Sequence, residues 1–167
     1  MIKFRRHRTL IKDILEKKSE YIELEQTVLI YGWVNFFRKS PPIYFLHLND
    51  GSTVENIQVV ANVDELHLDL SKISRGCSVK VSGVVVSSPA SGQSLEIKLL
   101  DIQVLGTSPA SYPINKQAKQ LEYLRTIEHM RIRTQLMKAV HRVRSNLSYS
   151  IHNYFQKIGC QYVNTPI

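Results

Sequence analysis

Between Thr27 and Leu105 the chain carries five runs of β-forming residues, and a stretch of helical spacing separates the third from the fourth. The first run, TVLIYGWVNFFR, alternates apolar and polar positions and is rich in β-branched and aromatic residues. Gly32 interrupts it. A glycine inside a strand marks a bulge or a sharp coil, which a small barrel needs where its first strand bends to join both halves of the sheet. Lys39-Ser40-Pro41-Pro42 then reads as a turn, since consecutive prolines cannot donate to a ladder. IYFLHLND is a second strand, closed by Asn49-Asp50-Gly51-Ser52, and VENIQVVAN a third. In VDELHLDLSKI, residues Val63, Leu66, Leu70 and Ile73 recur at helical spacing, and Arg75-Gly76 ends the segment. CSVKVSGVVVSS and SLEIKLLDIQVL complete the set, joined through Pro89-Ala90-Ser91-Gly92.

Three strands, a helix and two strands is the order of an OB-fold, an all-β five-stranded Greek-key barrel that binds oligonucleotides on its strand 2–3 face. SH3-like barrels usually lack the helix at that place. Ahead of the barrel, Leu10, Ile11, Ile14 and Leu15 predict a short amphipathic helix within Arg8–Lys18. Behind it, TSPASYPINKQAKQ has the composition of a hinge. From Thr134 onward Leu136, Val140, Val143, Leu147, Ile151, Tyr154/Phe155 and Ile158 form one stripe of a long helix, stopped at Gly159. CQYVNTPI is expected to begin a strand. The expected division is an N-terminal extension over 1–20, the barrel over 21–106, a hinge over 107–127 and the beginning of a second domain over 128–167. So apolar a helix stripe needs a partner, either another subunit or further sequence.

The chain has 167 residues and a formal net charge of +8, unevenly spread. Residues 1–20 hold seven Lys/Arg against three acids, 21–106 six against nine, and 107–167 nine against two. Basic flanks around a mildly acidic middle suit a polyanion bound through phosphates, or else simply solvated helix faces. No apolar stretch approaches the roughly 18 residues of a membrane span, and the N-terminus has no secretory h-region. Cys77 and Cys160 make neither a metal pair nor a disulfide framework, which fits a reducing, cytoplasmic compartment.

No GxxxxGK[ST], HExxH, GxSxG or Cys/His cluster is present, so no catalytic or metal site is assigned. The six histidines are scattered, and Asp64/Glu65 suits the start of a helix. Binding residues are easier to find. Gln58 is flanked by Ile57 and Val59, which face the other side of their strand, so its amide is exposed or hydrogen-bonded. Such an amide matches the Watson–Crick edge of a uracil. Phe45 is either barrel core or an aromatic platform for an unpaired base, because Tyr44, Phe45 and Leu46 cannot all point one way. Arg38 ends its strand where it can grip a phosphate or stack on a base.

GWVNFFR followed by FLHLNDGSTVENIQVV resembles the anticodon-binding OB-fold of class II aminoacyl-tRNA synthetases of the Asp/Asn/Lys subgroup. The segment from Tyr112-Pro113 to Thr165-Pro166, through Lys116, Leu124-Arg125, His129, Arg131 and Arg133-Thr134, looks like the hinge, first catalytic helix and motif 1 of the asparaginyl branch. Together the two matches cover about residues 10–167.

The resemblance implies that Phe45 stacks on the central uridine of an anticodon and that Gln58 hydrogen-bonds it. It further implies that Arg38 contacts the anticodon loop, and Glu96 falls near a carboxylate that in the aspartyl branch contacts the first anticodon base. Motif 1 implies a homodimer through Leu136, Val140, Val143, Leu147 and Pro166, the helix opening a class II α+β catalytic domain. The implied partner is tRNA(Asn), charged with asparagine by the parent enzyme using ATP and Mg. The chain departs from the pattern at Phe36 and Phe37, where basic residues are common, at Pro41-Pro42, and at Ala118-Lys119-Gln120 in the hinge. Motifs 2 and 3 are absent from the sequence, so this chain alone is expected to hold no cofactor and not to be catalytic. A free-standing OB-fold RNA binder and the aspartyl branch remain alternatives.

Overall fold

The computed structural model describes residues 8–62, 64, 70–89, 92–114 and 120–166. They divide into two compact units, one ending at Tyr112 and one beginning at Pro113, within the stretch read as a hinge. In the first, short helices α1 (Ile11–Glu16) and α2 (Lys18–Glu23) precede five strands: β1 (Thr27–Ser40), β2 (Ile43–Asn49), β3 (Ile57–Asn62), β4 (Ser78–Ser87) and β5 (Leu95–Gly106). The strands close into a barrel in the order β1-β2-β3-β5-β4, with β3 and β5 parallel and every other pair antiparallel. That is the expected OB-fold topology. The helix expected between β3 and β4 lies outside the described residues, including Val63 and Leu66; Leu70 and Ile73, at its far end, are buried in the core.

The first strand is the organising element. Its first half, Thr27 to Trp33, pairs with β4, and its second, Trp33 to Ser40, pairs with β2. Gly32 sits at the hand-over, where a Cβ would come to 3.0 Å from the backbone oxygen of Asn49. The register shift itself lies elsewhere, between Val34 and Phe36. The glycine is needed for close approach of two backbones, and the bulge falls at Asn35, where period-two alternation carries no mark. Before it Val28, Ile30 and Val34 face the core by plain alternation, and because of it Phe37 rather than Phe36 packs against the core further on.

The barrel interior is aliphatic, with Leu46, Leu48, Val59, Ala61, Val79, Val81 and Ile97 fully buried. Ile11 and Ile14 of α1 join the same cluster. The helix is anchored by the turn after β2. The Ile11 backbone N–H donates to Asp50 Oδ2 (3.1 Å) and that of Lys12 to Ser52 Oγ (3.0 Å). Leu10 at the helix start has no capping side chain, so a distant turn satisfies donors that the helix leaves open. Asn49, the one buried polar residue among those described, holds that turn together: its Nδ2 donates to the carbonyls of Thr53 (3.1 Å) and Glu55 (2.7 Å), and its Oδ1 accepts from Gly51 N–H (3.1 Å).

The second unit contains α3 (Leu121–Thr126), α4 (Glu128–Arg131) and the long α5 (Gln135–Lys157). Thr134 caps α5, its hydroxyl accepting from the Met137 N–H, and Gly159 beyond it takes φ 91°, the left-handed C-terminal conformation expected of it. Residues 160–166 do not form the strand expected there. A strand needs a neighbour for its backbone groups, and no described residue of this unit is a strand. Leu136, Val140, Val143 and Leu147 are all exposed, as is Pro166. No helix among the described residues is long and apolar enough to cross a membrane.

Replacing Asn49 tests the turn. Asn49→Ala removes three hydrogen bonds and strands two carbonyls, and at about 1 kcal/mol net for each lost bond it is expected to lower stability by about 2–3 kcal/mol in urea unfolding. Gly83→Ala is also expected to destabilise, because a Cβ there meets the Lys98 carbonyl oxygen at 2.5 Å and that oxygen belongs to a paired strand. Overpacking of this kind typically costs about 1–3 kcal/mol, read as a lower melting temperature with an unchanged circular dichroism spectrum.

Candidate nucleic-acid interface

The bulge at Asn35 sets which β1 side chains share an outer face with β2, β3 and β5. In β2, Leu46 and Leu48 face inward, so Phe45 and His47 face outward and are half-buried. In β3, Ile57, Val59 and Ala61 are buried and Gln58 and Val60 are half-exposed between them. In β5, Leu95, Ile97 and Leu99 are core, leaving Glu96 and Lys98 outside. Past the bulge, Phe36 lies opposite His47 and Arg38 opposite Phe45. Gln58 lies opposite His47 in turn, and Val60 opposite both Phe45 and Lys98. All four residues singled out from the sequence, Arg38, Phe45, Gln58 and Glu96, therefore come to one face. Phe45 therefore stands outside the barrel core; Phe37 and Tyr44, with ring centroids 5.9 Å apart, pack against the core instead.

A line of polar contacts crosses this face. His47 Nε2 is 3.2 Å from Gln58 Oε1, and Gln58 Nε2 donates to Glu96 Oε2 at 3.2 Å. The same carboxylate oxygen accepts from Ser88 Oγ (3.1 Å) and from Gln93 Nε2 (3.3 Å), and Gln93 Nε2 also donates to Ser88 Oγ (3.1 Å). These come from the end of β4 and the turn before β5. Phe36 tilts against the His47 ring at 5.3 Å between centroids. The result is an aromatic, Phe45, beside an oriented amide, with Arg38 and Lys98 on the flanks. Such a face can stack an unpaired base, read its edge and hold its phosphates.

His47, Phe36, Ser88 and Gln93 were not singled out in sequence. His47 was open to detection, since it stands two residues from Phe45 and must share its face. Phe36 was not, because alternation carried through from Val28 puts it on the same side as the core positions, and only the bulge turns it outward. Leu136, Val140, Val143, Leu147 and Pro166 belong to the second unit.

A family described as tRNA_anti-codon, an OB-fold nucleic acid binding domain, matches residues 28–105. The asparagine–tRNA ligase of Borreliella burgdorferi is 45% identical over 161 residues, covering 94% of this chain and 34% of the relative. That of Desulfotalea psychrophila is 44% identical over 163 residues, covering 96% of this chain and 35% of the relative. Among solved structures, asparaginyl-tRNA synthetase from Pyrococcus horikoshii matches the whole chain and 38% of its own length, with a TM-score of 0.82 at 22% identity. A putative aspartyl-tRNA synthetase from Leishmania major matches 99% of this chain and 35% of its own length, with a TM-score of 0.77 at 22% identity. At that identity the structural likenesses establish the fold. The chain spans about a third of the length of the curated relatives it matches. Residues 28–105 thus match an OB-fold nucleic acid binding domain, and nearly the whole chain is similar to a segment about a third the length of asparagine–tRNA ligases.

Proposed function

We propose that this chain is the anticodon-reading part of an asparagine–tRNA ligase, and that the outer face of β2 and β3 takes the anticodon of tRNA(Asn). The observation that carries the reading is the placing of Phe45 next to the Gln58–Glu96 pair on the oligonucleotide-binding face of an OB barrel. The central base stacks on Phe45, Gln58 offers its edge an acceptor and a donor, and Arg38 neutralises a phosphate of the loop. Glu96 accepts three hydrogen bonds on Oε2, which leaves Oε1 to accept from an N–H of the first anticodon base.

The parent enzyme activates asparagine with ATP and Mg and transfers it to the tRNA. In this reading the chain, about a third of the relatives' length and without motifs 2 and 3, is expected to bind tRNA in the cytoplasm and not to charge it by itself. The exposed apolar stripe of α5, with Leu136, Val140, Val143 and Leu147, and Pro166 beyond it, is read as the motif 1 surface on which a second copy packs.

Base stacking of this kind is worth about 1–3 kcal/mol, so Phe45→Ala is expected to weaken tRNA(Asn) binding by about tenfold to a hundredfold in an anisotropy titration. Unchanged affinity in both Phe45→Ala and Gln58→Ala sinks the assignment. Equal binding of transcripts whose anticodons end in uridine and in cytidine favours the aspartyl branch. Binding of any single-stranded RNA as tightly as tRNA(Asn) favours a general RNA binder. For the second unit, sedimentation at micromolar concentration is expected to show a dimer that Leu147→Lys dissociates, since a buried unpaired ammonium opposes the contact; a monomer throughout removes the motif 1 assignment.

A further inference from the structure

The Gln58 amide lies between two groups of unequal character. The Glu96 carboxylate can only accept a hydrogen bond, so the amide turns its NH₂ end toward it, as the 3.2 Å contact from Nε2 to Oε2 records. That leaves Oε1 on the other side, 3.2 Å from His47 Nε2, and a bond there requires His47 to donate. The chain of donors and acceptors therefore runs one way, from His47 through Gln58 to Glu96. Both ends are braced. Phe36 packs on the His47 ring at 5.3 Å, while Ser88 and Gln93 hold the carboxylate oxygen at 3.1 and 3.3 Å.

We propose that His47 is a specificity-determining residue, which with Glu96 locks the Gln58 amide in one of its two orientations and so sets which pyrimidine that amide accepts. The inference rests on the proposed reading of an anticodon base by Phe45 and Gln58. A side-chain amide offers a carbonyl on one side and N–H on the other. Uracil shows an O4 acceptor beside an N3–H donor, and cytosine shows the reverse, an N4–H donor beside an N3 acceptor. For a base held in one plane on Phe45, an amide fixed in direction pairs with one of them and sets like against like for the other. An amide free to turn over satisfies either. The lock thus converts a non-selective group into a selective one, by penalising the wrong base with unpaired polar atoms.

The position of His47 on the outer side of β2 makes it replaceable without touching the barrel core. The test uses this chain and two anticodon stem-loop RNAs that differ only in uridine or cytidine at the central anticodon position, with affinities read by anisotropy. His47→Phe keeps a ring against Phe36 and removes the donor, and His47→Gln keeps a donor at similar reach. The unsubstituted chain is expected to prefer the uridine loop. His47→Phe is expected to reduce that preference by about tenfold, chiefly by binding the cytidine loop better, and His47→Gln to restore it. If His47→Phe does not fold, His47→Ala carries the same readout. A preference in the donor-free variant equal to that of the unsubstituted chain overturns the proposal. The underlying reading fails differently: Phe45→Ala then binds as tightly as the unsubstituted chain, which itself shows no preference between the loops.

Discussion

Everything on the binding face depends on β1 serving two partners. A barrel of five strands closes only if one strand is long and bent enough to pair with β4 along its first half and β2 along its second. Two devices make that possible here. Gly32 lets the strand pass within contact distance of the Asn49 backbone, and the bulge at Asn35 adds the residue that changes direction and parity together. Without the change of parity, Phe36 and Arg38 would turn toward the core and Phe37 toward solvent. The same local distortion thus closes the barrel and supplies one edge of the outer face proposed to read a base.

The turn after β2 couples this barrel to the segment before it. Asn49 organises the turn internally, while Asp50 and Ser52 reach α1 and satisfy its first N–H groups. In return Ile11 and Ile14 add to the barrel core. A helix of six residues is not stable alone in water, so its existence is a consequence of this docking rather than of propensity. The turn lies at the end of β2 away from Phe45, which separates the anchoring contacts of this strand from its proposed binding residue.

The second unit presents the opposite case, a helix whose sequence specifies its form fully while leaving its apolar side without cover. Thr134 and Gly159 bracket α5 and the apolar stripe repeats along it, yet Val143 and Leu147 are 65% and 57% exposed. Exposure of that extent along one helix marks a surface built to be covered. It is in keeping with relatives about three times as long as this chain.

The strand and helix order, the turns at Pro41-Pro42 and Asn49–Ser52, the caps of α5 and the outward place of Gln58 were legible in the sequence, since each depends on neighbours within a few residues. Recognition of the anticodon-binding pattern came from the same local stretches. The strand expected at 160–166 failed because strands are made by pairing, which no local pattern supplies. The bulge went undetected because Asn35 is an unremarkable residue whose conformation is imposed by two different partners. The amino-acid sequence by itself determined that the chain forms a five-stranded barrel followed by an amphipathic helix, and which residue types were available to bind a base. Only the tertiary structure decided that Phe45 faces outward, and that His47, Gln58 and Glu96 make one directed line. These contacts join residues up to 38 positions apart, and the donor and acceptor roles in them exist only once the strands are in register.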